Sequence, residues 1–228
     1  MAAMSRKSHD LRYLPLLLAV CLLGCGGGSD VPEDNSPVDE STSAQLKSVS
    51  AAELPKLGDF LPPLPPNKPV VRVASPATWV PKQRDASFLC AFTEKKGQNV
   101  PAIVVKIVEP PAVDGFENVD QENVADFAAA VQATLKDPLE DAVPLLLGEH
   151  AFARYVKRAS LNNLPVEQQV LATMKNGRMF TVELRVRPGK PEEFESYRDQ
   201  AYAVAAGLEF LAGADEQDKP PPAAPEKQ

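Results

Sequence analysis

The chain has 228 residues, 44% of them hydrophobic, and a formal net charge of −7. That balance makes it a poor ligand for nucleic acid, which needs clustered Lys and Arg, and it works against electrostatic docking on anionic lipid. With three cysteines and two histidines, disulfide scaffolds and His/Cys metal cages have little to draw on.

The first organised stretch is Leu14–Cys25, LPLLLAVCLLGC, preceded by Arg6, Lys7 and Arg12. A basic start, a short apolar run and a small residue at the cut make a secretory signal over residues 1–24. Its apolar core, Leu14–Leu23, is about half the roughly 20 residues that span a bilayer, so no permanent membrane helix is expected there. Leu22-Leu23-Gly24-Cys25 resembles a bacterial lipobox, with Leu23 departing from its usual pattern. The resemblance implies cleavage between Gly24 and Cys25 and acylation of Cys25, palmitate included. It also implies a lipoprotein anchored in the cell envelope, facing the periplasm or the exterior. Stable anchoring needs more than one acyl chain. The signal removes Cys21 and the lipid consumes Cys25, leaving Cys90 as the single free thiol. Set in SFLCAF, Cys90 reads as a buried small hydrophobe, because a reactive thiol needs an electropositive, accessible setting.

Residues 25–69 read as lipid anchor and disordered linker, with eight prolines between Ser29 and Pro69. Leu61-Pro62-Pro63-Leu64-Pro65-Pro66 favours polyproline II, as a spacer or as a ligand for a partner's groove. A domain is expected over residues 70–213. Val71 and Val73 start a short strand that Ser75-Pro76 ends, and Trp79 anchors the core or its rim. Ser87–Thr93 and Ala102–Val108 are β-branched and aromatic, and read as an antiparallel strand pair. Asp120 caps a helix from about Gln121, with Val124, Phe127, Ala128, Val131 and Leu135 on one face. Asp137-Pro138 stops it.

Two strands follow, Pro144–Gly148 and Ala151–Ala159. In the second, Phe152, Arg154, Val156 and Arg158 share one face, and Ala151, Ala153, Tyr155 and Lys157 the other. Leu161–Pro165 turns into the strands Val166–Lys175 and Arg178–Arg187, joined at Asn176-Gly177. That dipeptide is a strong hairpin signal, because both turn positions need positive φ. Phe180, Val182, Leu184 and Val186 should face the core. Pro191 opens a last helix whose stripe is Phe194, Tyr197, Ala201, Val204, Ala205, Leu208 and Leu211, ending at Gly213. Residues 214–228 have the composition of a disordered tail.

This order of elements, with the turn VRVASPATW, the hairpin MKNGRMFTVELRV and the helix EFESYRDQAYAVAAGLEF, resembles the PsbP-like superfamily. Bacterial lipoproteins of the DcrB and LpqN type are similar to it. The resemblance covers about Val70 to Leu211. It implies an α+β fold: an α/β/α sandwich with a mainly antiparallel sheet of about six strands. It also implies a binding or assembly module, since the family's members bind unrelated partners and fold alone does not transfer the job. Metal-binding histidines of photosynthetic members have no counterpart here, and no cofactor is expected.

Once the signal is gone His150 is the only histidine, so any Ser-His or Cys-His hydrolase would have to use it. No G-x-S-x-G elbow and no phosphate-binding glycine loop is present. The acid pairs Asp114/Glu117 and Glu192/Glu193 read as loop and cap charges. Arg154, Lys157, Arg158, Arg178, Arg185 and Arg187 cluster along the meander. They form either a salt-bridged outer face or a docking patch for an acidic partner. The resulting expectation is a monomeric, lipid-anchored, non-catalytic protein-binding module that engages an envelope protein. The alternatives are a carrier holding a small apolar ligand between sheet and helix, and a hydrolase using His150.

Overall fold

The structure is a computed structural model and describes residues 46–65, 68–82, 87–109 and 111–211. The signal at 1–24, the cleavage and lipidation site at Gly24 and Cys25, the first part of the linker and the tail at 214–228 lie outside the described residues.

The strands are β1 (Lys47–Val49), β2 (Leu57–Phe60), β3 (Val71–Arg72), β4 (Ala74–Pro76), β5 (Val80–Lys82), β6 (Cys90–Thr93), β7 (Ala102–Val108), β8 (Glu140–Leu147), β9 (His150–Leu161), β10 (Leu164–Lys175), β11 (Arg178–Val186) and β12 (Glu209–Phe210). The helices are α1 (Val124–Thr134) and α2 (Pro191–Ala206). The fold is mixed α+β. Its main sheet runs β1-β8-β9-β10-β11-β7-β6-β5, antiparallel throughout except where β1 lies parallel to β8. Eight strands replace the six expected. The central six follow from their β-branched and alternating residues. The two edges, β1 and β5, have three residues each and no pattern of their own; a neighbouring strand holds each in place. Val71 and Ala74 are not part of this sheet. They pair with β12 and β2 in two small ribbons.

Strand periodicity divides the side chains between two cores. Phe152, Leu171, Phe180, Val182 and Leu184 pack with Ala201, Val204 and Ala205 of α2. Ala151, Ala153, Tyr155, Val170, Ala172 and Met174 pack with Val124, Phe127, Ala128 and Val131 of α1. The two helices therefore cover opposite faces. The alternations expected for β9 and β11 are those observed.

Register is set at the hairpin. Asn176 and Gly177 have φ of 51° and 67°, the pair of left-handed residues a type I′ turn requires. Lys175 then sits opposite Arg178, and pairing continues to Glu167 opposite Val186. Asn162 and Asn163, at φ 50° and 65°, turn β9 into β10 in the same way. The 176–177 turn is also tied to the loop before α1, since Gly177 N donates to Glu117 O at 2.9 Å.

Three boundaries differ from the sequence reading. α1 begins at Val124 because the Asp120 carboxylate accepts from the amides of Glu122 and Asn123, closing a turn ahead of the helix. α2 ends at Ala206, not Gly213. Gly207 follows the helix, its amide bonding back to Ala203 O at 2.9 Å. The chain then reverses, Leu208 plugs the core, and Glu209–Phe210 pair with Arg72–Val71. A Cβ at Gly207 would lie 2.5 Å from Leu57 Cδ1, so glycine lets β2 approach the helix end closely.

The third difference is the linker. The fold takes up the chain from Leu46, well before Val70. Lys47–Val49 pair with Leu145–Leu147, Ser50 and Glu53 form a capping box, and β2 pairs with β4. Leu61 and Leu64 do not present a groove ligand. Their amides donate to Val73 O and Val71 O, both at 2.8 Å, and Leu64 is buried in the core. Prolines between them lack donors, but the extended backbone they favour leaves each leucine amide free to pair.

A chain starting at Leu46 should therefore melt like the full protein, whereas one starting at Val70 should melt lower or aggregate, because it uncovers the β8 edge. Equal melting curves would remove the N-terminal segment from the fold. Leu208→Ala should cost ~2–5 kcal/mol in urea denaturation, and Leu164→Ala, 60% exposed, should stay within about 0.5 kcal/mol.

Candidate functional site: a cleft at the end of α2

β9 begins at His150 and β10 ends at Lys175, at the same end of the sheet. Both residues share the strand face of Phe152 and Leu171, the face that α2 covers. The reversal after α2 brings Leu208, Glu209 and Phe210 over them. A cleft of about 680 Å³ results, open to solvent. His150, Lys175, Asn176, Phe60, Phe210 and Leu211 line it. A second cavity of about 370 Å³ borders the same helix end, lined by Ala51, Leu54, Leu57 and Ala203.

The His150 ring lies edge-on to Phe210, at 5.4 Å between centroids. Its Nε2 is 2.9 Å from the carbonyl oxygen of Leu208. A carbonyl only accepts, so Nε2 carries the proton and donates. Burial lowers the His150 pKa below its ordinary 6.5; the Leu208 carbonyl opposes that, Lys175 adds to it, and Glu149 opposes it. Lys175 Nζ sits 6.0 Å from the centre of the Phe210 ring. Glu209 is occupied by Arg72 at 2.8 Å, and Arg72 also lies over the Phe60 ring at 4.5 Å. Phe210 packs edge-on against Phe180 at 5.0 Å.

The six cationic residues of the meander do not converge on one surface. Strand alternation puts Arg154, Arg158 and Arg178 on the α2 side and Lys157 and Arg185 on the α1 side. Arg154 is paired with Glu140. Arg185 is buried and bonds Glu183 at 2.6 Å, while Lys106 reaches the same carboxylate at 3.1 Å. Arg187, beyond the end of β11, pairs with Glu193. Arg178 lies beside Phe180 and Phe210 at the margin of the cleft.

Cys90 is buried, and burial pushes its thiol up to about 12, far from the thiolate that chemistry requires. Glu193 is buried and accepts from the Arg187 amide and guanidinium. Glu192 meets Lys190 at 3.3 Å, and Asp114 and Glu117 are exposed loop residues. Among the described residues no group of three or more His, Cys, Asp and Glu side chains could hold a metal ion. No helix among them is long and apolar enough to cross a membrane. Sequence reasoning singled out His150 and missed Lys175, Asn176 and Phe210. The only signal for Lys175 was its place just before the hairpin turn, and strand register alone brings it near His150.

No family model matches the sequence, and no curated protein does. Among solved structures, the chain is similar to a protein from Bacteroides thetaiotaomicron VPI-5482, with 13% identity over 62% of this chain and a TM-score of 0.41. It spans 45% of that protein's length. It is also similar to cyanobacterial PsbP (CyanoP) from Synechocystis sp. PCC 6803, with 10% identity, 62% of this chain and 86% of that one covered, and a TM-score of 0.29.

The lowered pKa of His150 has a definite sign. The unfolded chain takes up the proton first, so the stability from this group is fully present above the ordinary 6.5 and is lost as pH falls below it. Urea denaturation between about pH 7 and about pH 5 should show a decline that His150→Gln reduces. Parallel pH profiles for the two proteins would show that the ring titrates normally.

Proposed function

We propose that the mature chain is a non-catalytic binding module of PsbP-like, α/β/α-sandwich type. A lipid on Cys25 holds it at the bacterial cell envelope, facing the periplasm or the exterior, where it engages another envelope protein. One observation carries the non-catalytic part. The two groups best suited to nucleophilic or acid–base chemistry are committed within the fold: Cys90 as a buried neutral thiol, and His150 by its bond to the Leu208 carbonyl. The order strand pair, α1, antiparallel meander, α2 supports the PsbP-like reading. The LLGC box after a short apolar run supports the anchor. A second reading, carriage of a small ligand, is favoured by the open cleft beside α2.

Mass spectrometry of the mature N-terminus should find Cys25 acylated, and Cys25→Ser should move the protein out of the membrane fraction. An unmodified N-terminus at another residue would overturn the anchor. Crosslinking in intact cells should yield a discrete protein adduct that Cys25→Ser loses. An adduct pattern indifferent to Cys25 would separate the binding role from the membrane.

A further inference from the structure

We propose that the cleft at the C-terminal end of α2 binds a small organic monoanion, a carboxylate or sulfonate on an apolar body. The anionic group would meet Lys175 and the body would lie against Phe210, Phe60 and Leu211. This rests on the second reading above and names its ligand class.

The volume, about 680 Å³, falls in the range of ordinary small-molecule sites. Lys175 is half-buried, and no ion pair neutralises it among the described residues. Glu209, the acid beside Phe210, is taken by Arg72. His150 does not compete for the anion, because its Nε2 proton is given to Leu208. The ring nonetheless reports the local field. It feels Lys175 as a nearby positive charge, with Glu149 acting in the opposite direction. Asn176 offers side-chain amide donors next to Lys175, its backbone amide being held by Asn118 Oδ1 at 3.2 Å.

The apolar wall is set before any ligand arrives. Phe210 is clamped edge-on between Phe180 and His150 and backed by the β12–β3 pairing. A wall that need not reorganise keeps more of the contact energy as affinity. Its ring already accepts one cation, Lys175, on its face, and a bound anion would complete that arrangement. Glu149, exposed on the turn between β8 and β9, opposes an anion and so supplies a control of opposite sign.

Calorimetric titration of the purified full chain with 4-phenylbutyrate tests the proposal. Saturable one-site binding is expected, and the neutral analogue 4-phenylbutyramide should bind about tenfold more weakly or worse, a loss of about 1.4 kcal/mol. Lys175→Gln should weaken the acid about tenfold, Lys175→Arg should restore most of the affinity, and Glu149→Gln should tighten it. Melting temperatures of all three variants guard against misfolding. If Lys175→Gln is unstable, the acid–amide comparison and Glu149→Gln still decide. Equal affinity for acid and amide, undiminished binding in a folded Lys175→Gln, or no saturable binding would overturn the site. Equal saturable binding of acid and amide would leave the carrier reading standing and remove the anion site, whereas no saturable binding of either would remove both.

Discussion

The register of the central hairpin is the constraint from which the functional end of the molecule follows. A two-residue turn with both residues at positive φ leaves β10 and β11 no alternative pairing, because a slip of one residue would send every side chain to the opposite face. With Lys175 fixed opposite Arg178, Phe180, Val182 and Leu184 point toward α2. Lys175 then emerges at the end of that same face, near His150. Phe210 can seal this end only because Phe180 is there to receive its ring.

The same periodicity governs the charges. Glu183 and Arg185, two residues apart, lie on one strand face and bond each other, with Lys106 of the adjacent β7 completing a triad. Buried ion pairs of this kind contribute little net stability but are costly to break, since removing one partner leaves a buried charge. The cationic residues that look continuous along the sequence are thus divided between two faces, and three of them, Arg154, Arg185 and Arg187, are paired with carboxylates of the same chain.

The sheet's edges are handled differently at each end. β5 carries Pro81 and Lys82, both of which discourage pairing with another chain. The other edge, β8, ends in Leu145-Leu146-Leu147 and would be an adhesive strand if bare. β1 covers it in parallel, supported by the capped turn at Ser50 and by Leu57 against the end of α2. The proline-rich stretch that follows runs beside Val71 and Val73, contributing Leu64 to the core. A segment whose composition suits a spacer is, from Leu46 onward, part of the domain.

What the sequence by itself determined was whatever local chemistry enforces. The Asn-Gly turn, the alternation of β9 and β11, the apolar stripe of α1 and the burial of Cys90 each follow from a few adjacent residues and a period of 2 or 3.6. The mixed α+β class follows from their order. Only the tertiary structure decided the rest. β1 and β5 are strands because a neighbour offers a hydrogen-bonding edge, and nothing in KSV or VPK demands it. α2 stops at Ala206 although its apolar stripe continues to Leu211, because Leu208 and Phe210 gain more by turning back onto the core and Phe180 than by extending the helix. The cleft joins His150, Lys175 and Phe210 from three elements separated by 25 or more residues. No local pattern carries that meeting, since it is set by strand register and by where a helix ends.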